Sequence, residues 1–77
     1  MIKNSIAKLT KREREIIELI AQGMKNKEIA ERLSISPATV RHHLSTIFAK
    51  LEVPDRLKLL IFAYEQGLVR TPPALNK

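Results

Sequence analysis

The sequence predicts an all-α fold, a small four-helix bundle, on three observations. Apolar residues recur at helical spacing in four separate stretches, and nothing alternates apolar and polar residues with period two. Capping residues, prolines and glycines stand where such helices would begin and end. At 77 residues there is room for one domain, and a chain of this size buries roughly 60% of its unfolded surface, enough for a core of short helices.

Residues 1–8 read as a flexible lead. The first predicted helix covers 11–22: Thr10 with Glu13 three residues on makes a capping box, Ile16, Ile17, Ile20 and Ala21 share one side, and Gly23 suits a left-handed terminus. The second covers 27–33, with Asn26 as its cap and Ile29, Ala30 and Leu33 as its apolar stripe. The third covers 37–51, started by Ser36 as cap and Pro37 at the first helical position, where a missing N–H costs nothing. Pro54-Asp55 breaks the chain, a fourth helix covers 56–66, and Gly67 stops it. Pro72-Pro73 then makes 70–77 a tail that cannot continue a helix.

From Ala30 to Val40 the chain ends one short apolar helix, turns in about three residues and starts another with a strong capping signal, the pattern of a helix-turn-helix. Such a motif needs a second helix with two different faces. At about 100° per residue, Val40, Leu44, Ile47 and Leu51 cluster, with Phe48 beside them, and belong to the core. Ala38, Arg41, His42, Ser45 and Ala49 fall on the far side, small or hydrogen-bonding types suited to lying in a major groove.

Roles follow from the chemistry of each group. Arg41 presents a planar fork that matches the O6 and N7 acceptors of guanine, and His42 and Ser45 reach the same side as further base-reading candidates. Ser36, Thr39, His43, Thr46 and Lys50 flank that face at angles suited to the phosphate backbone, Ser36 and Thr39 at the positive end of the helix dipole. Each residue also has a plainer reading, as a cap or a solvated surface group.

The placement of charge agrees with a polyanionic partner. The net charge is +6, and from residue 33 to 51 there is no Asp or Glu, while Glu13, Glu15, Glu18, Glu28 and Glu31 crowd the first two helices. A surface approaching phosphates gains by lacking carboxylates.

Other classes find little support. Without cysteine there is neither disulfide nor thiolate metal site, and His42 and His43 diverge by about 100° on a helix with no third ligand, so no metal or other cofactor is expected. No nucleophile has an orienting partner, and no Gly-rich phosphate loop occurs, so the chain does not read as an enzyme. No apolar run approaches the ~20 residues of a membrane span, and a cytoplasmic location is the default expectation.

The fourth helix carries more apolar residues than one core contact uses. Leu59, Leu60 and Ala63 form one stripe and Leu57, Ile61 and Tyr64 a second. The second stripe suits a two-fold contact with another copy of the chain, formed in solution or only on DNA, and the expected interface comprises Leu57, Leu60, Ile61 and Tyr64.

In these features the chain resembles the LuxR/NarL/FixJ-type (GerE-like) DNA-binding domain of bacterial transcription regulators. The resemblance spans about residues 8–69 and rests on the run from Leu9 to Glu15, on Asn26-Lys27-Glu28-Ile29-Ala30, Leu33-Ser34-Ile35-Ser36, Thr39-Val40-Arg41, His43, Ile47, Lys50-Leu51, Val53, Arg56 and Gly67-Leu68-Val69. It implies a four-helix domain whose second and third helices form the motif and whose fourth mediates dimerisation on inverted-repeat double-stranded DNA. It implies base reading at Arg41, His42 and Ser45 and backbone contacts at Ser36, Thr39 and Lys50. Arg41 stands where lysine is frequent, and Leu59 and Leu60 replace the usual small residues of the last helix. Most relatives join this domain to a phosphorylated receiver or a ligand-binding module. Both an excised effector domain and a free-standing small regulator are compatible with these 77 residues.

Two other readings compete. A module like region 4 of a sigma factor pairs a similar opening with docking on RNA polymerase, although the amphipathic segment after Leu51 argues against it. A protein-only adaptor would use the last helix and keep the third as scaffold.

Overall fold

The computed structural model describes residues 2–69, and the expected tail lies outside them. Five helices occur in this range and no strand: α1 (Ile2–Ala7), α2 (Lys11–Ala21), α3 (Asn26–Leu33), α4 (Pro37–Leu51) and α5 (Arg56–Glu65). No helix among the described residues is long and apolar enough to cross a membrane.

The four expected helices are present within a residue or so of their expected bounds, and α1 is the addition. It lies in the stretch expected to be a flexible lead, packs on α4, and is fastened by Arg14 Nη2 donating to the Ile6 carbonyl at 3.2 Å. Ile6 rests against the core. Six residues carry too few apolar positions for a periodic signal, so the helix owes its order to docking rather than to propensity.

One core serves every element. Ile16, Ile17 and Ile20 of α2, Ile29 of α3, Val40 and Ile47 of α4 and Leu59 of α5 are almost completely enclosed. The central element is α4, which is packed by α1, α2 and α3, while α5 packs chiefly on α2. The four residues expected to face the core from α4, namely Val40, Leu44, Ile47 and Leu51, are all buried, and Phe48 is half-buried against them.

The starts of α2, α4 and α5 obey the side-chain capping rules. Thr10 Oγ1 accepts the Glu13 N–H at 3.1 Å while Glu13 Oε1 accepts the Thr10 N–H at 2.8 Å, a complete capping box. Ser36 Oγ accepts from Thr39 N and Asp55 Oδ1 from Lys58 N. The start of α3 differs from expectation. Lys25, not Asn26, occupies the cap position, with the Glu28 carboxylate accepting its N–H at 2.8 Å. Asn26 is the first helical residue, and its side chain is engaged elsewhere.

All four longer helices end by one device. A left-handed residue follows the last turn: Gly23 at φ 90°, Ser34 at 59°, Glu52 at 55° and Gly67 at 74°. The next residue then donates its N–H five positions back, Met24 to Leu19, Ile35 to Ala30, Val53 to Phe48 and Leu68 to Ala63. Those four donors, Met24, Ile35, Val53 and Leu68, are apolar and partly buried on the core, as the Schellman termination requires.

Candidate nucleic-acid interface

The turn at Ser34 swings the chain from α3 into α4 in three residues, and the Ser36 cap and Pro37 then fix where α4 begins. With Val40, Leu44, Ile47 and Leu51 pointing inward, helical geometry turns Ala38, Arg41, His42, Ser45 and Ala49 outward, and all five are exposed. The structure thus brings Arg41, His42 and Ser45 onto one accessible side of α4. The His42 and His43 rings lie with centroids 6.4 Å apart and tilted, and among the described residues no group of three potential ligands forms a metal site.

The flanking residues divide. At the helix start, Ser36 Oγ and Thr39 Oγ1 lie 2.9 Å apart, so one hydroxyl hydrogen joins the pair and the other is available to an outside acceptor. Both side chains are exposed. Thr46 and His43 are half-buried, and Thr46 spends its hydroxyl hydrogen on the His42 carbonyl at 3.2 Å.

Lys50, expected as a backbone contact, is engaged within the fold. Its ammonium donates to Glu13 Oε1 at 2.8 Å, to Glu13 Oε2 at 3.0 Å and to the Lys8 carbonyl at 3.0 Å. An ammonium has three hydrogens, and all three have acceptors. Glu13, whose side chain is only 5% exposed, therefore closes the cap of α2 and receives the cation at the end of α4 together. Burial raises the carboxyl pKa of Glu13, but the Lys50 ammonium, the Thr10 N–H and the Thr10 hydroxyl outweigh it and hold the group below its ordinary value.

A second linkage joins α5 to the motif. Arg56 donates through Nη1 to Asn26 Oδ1 and through Nη2 to the Met24 carbonyl, each at 2.6 Å, spanning the α2–α3 turn. Burial alone pushes its guanidinium below the ordinary arginine value. Neither linkage has a sequence signature, because each joins residues about thirty or more positions apart.

On α5 the two apolar stripes differ in exposure. Leu59, Leu60 and Ala63 are core, and Leu60, expected at the interface, is only 8% exposed in the single chain. Leu57, Ile61 and Tyr64 are 51%, 37% and 46% exposed, a row of large apolar side chains open to solvent.

Known proteins share this arrangement of residues. The sequence profile of the family described as GerE, "Bacterial regulatory proteins, luxR family", matches residues 7–63. The chain is 48% identical over 59 residues to the transcriptional regulatory protein DesR of Bacillus subtilis, a match covering 77% of this chain and 30% of the relative. It is 47% identical over 62 residues to the response regulator protein VraR of Staphylococcus aureus, covering 80% and 30%. The chain thus spans less than a third of the length of these curated relatives. On the profile match, which takes in all of α2, α3 and α4, the chain belongs to the luxR family of bacterial regulatory proteins.

Proposed function

We propose that this domain binds specific double-stranded DNA to regulate transcription, with α4 lying in the major groove and the outer row of α5 joining two copies. The observation that carries the reading is the two-faced character of α4: one side closes the core, the other is exposed and presents Arg41, His42 and Ser45, and no carboxylate occurs from residue 33 to 51. Arg41 serves as the bidentate base contact, with His42 and Ser45 as shorter partners one turn apart. Ser36 and Thr39, at the dipole-positive end of the helix, hold one phosphate, and His43 and Thr46 line the approach. Leu57, Ile61 and Tyr64 form the contact with a second copy, which sets two reading helices about one DNA turn apart. The relatives, a transcriptional regulatory protein and a response regulator, support the same reading.

A selection of bound sites from a randomised duplex pool, followed by anisotropy titration of the winning site and a scrambled one at several salt concentrations, tests the proposal. The expected result is an enriched inverted repeat bound about 10³-fold or more tightly than scrambled DNA, both affinities falling steeply with salt. Absence of binding to any duplex would turn the reading to a protein-only adaptor, and binding only in the presence of core RNA polymerase to the sigma-like module.

A further inference from the structure

Arg56 is a charged side chain without a countercharge. Its two short bonds go to neutral oxygens, the side-chain carbonyl of Asn26 and the main-chain carbonyl of Met24, and among the described residues no carboxylate pairs with it. A guanidinium has five N–H donors, and these bonds occupy two of them. A half-buried cation at a surface groove, bonded only to neutral oxygens, attracts an anion.

The groove beside it has a volume of about 400 Å³ and runs between α4 and the start of α5. Phe48 and Pro54 line it together with Arg56, Asn26, Arg41 and Ser45, so it is continuous with the side of α4 assigned above to base reading. Asp55 is the single carboxylate in the lining, and it is held at the α5 cap by accepting the Lys58 N–H at 2.9 Å.

We propose that this groove holds a phosphate of the DNA backbone, with Arg56 as its principal donor and Asn26 as the residue that orients the guanidinium. The inference rests on the DNA-binding reading and adds to it a contact supplied by α5, outside the helix-turn-helix. Arg41 reaches from the same groove toward a base, so the base contact and the phosphate contact flank one wall of the site. Because a phosphate looks the same beside every base pair, Arg56 strengthens binding to all sequences alike and fixes the height at which α4 sits in the duplex.

The decisive measurement is the salt dependence of binding to a scrambled duplex by the whole chain and by Arg56→Gln and Arg56→Lys, each first confirmed folded by its thermal melt. If Arg56 meets a phosphate, the slope of log affinity against log salt becomes shallower by about one in Arg56→Gln and returns in Arg56→Lys, with equal weakening on selected and scrambled DNA. Lost affinity with an unchanged slope would overturn the proposal and leave Arg56 as a brace between α5 and the α2–α3 turn. Should Arg56→Gln not fold, the unaltered chain decides: the Arg56 Nε–H resonance shifts on titration with the scrambled duplex, and a stationary resonance overturns the assignment. Failure of the unaltered chain to bind any duplex would instead refute the DNA reading beneath it.

Discussion

Lys50 shows how far one residue's role depends on what lies opposite it. Viewed along α4 alone it is a cation on a carboxylate-free stretch, but Glu13 arrives from 37 positions away and takes it out of circulation. The carboxyl of folded Glu13 is held below its ordinary value, so its contribution to stability is fully present above the usual carboxylate range and is lost as pH falls through it toward the depressed folded value. Glu13→Gln is accordingly expected to cost about 1–3 kcal/mol at neutral pH, and thermal melts from pH 7 to pH 3 should show the gap to the unaltered protein closing in acid. A gap that stays constant with pH would mean that the lost stability comes from packing. Arg41 belongs to the same scale with the opposite expectation: exposed and outside the core, it can be removed without unfolding the chain. Arg41→Ala is expected to relax preference at particular base pairs by about 1–3 kcal/mol in competition binding. Uniform weakening across sequences would reassign it to the backbone.

The element scale is where the sequence was most legible, and its limits follow from the kind of signal involved. Local signals, such as the Thr10–Glu13 box, Ser36-Pro37, Asp55 and the two glycines, located four helices within about one residue, because each is a contact between neighbours in the chain. The apolar period of α4 separated its core side from its exposed side for the same reason. What escaped were contacts without a period. Ser34 and Glu52 adopt the same left-handed conformation as Gly23 and Gly67, yet neither residue type announces it. Asn26 looked like a cap because its amide suits one, whereas that amide is claimed by Arg56 from α5. Of the expected site, Arg41, His42 and Ser45 emerged together on the surface, while Lys50 and Leu60 were drawn inward by α2 and the core. Gly67 offers a clean test of the termination device, since a Cβ built there would meet nothing within 4 Å and only the left-handed backbone resists it. Gly67→Ala should therefore lower stability by about 1–2 kcal/mol in denaturant melts, and a neutral result would show that α5 can end without that conformation.

At the scale of the whole molecule, the fold distributes two kinds of surface. The carboxylate-free side belongs to α4, the innermost helix of the packing, whereas the open apolar row belongs to α5, which leans chiefly on α2. The two surfaces proposed for reading and for pairing can therefore be altered separately. Ile61, exposed beside Leu57 and Tyr64, is the residue to change. Ile61→Asp is expected to leave the melting temperature within a few degrees and the affinity for a single half-site intact, while abolishing cooperative filling of two half-sites in gel-shift titrations. Collapse of the fold would show instead that this row is needed by the monomer.

The three-way anchorage of Lys50 has a mechanical corollary. The carbonyl of Lys8, the cap of α2 and the trailing end of α4 meet at one ammonium, so the heel of the central rod and the turn between α1 and α2 are riveted at a single point. A load applied to the polypeptide ahead of Leu9, by trimming or by fusion, is therefore shared between that rivet and the Arg14–Ile6 fastening of α1.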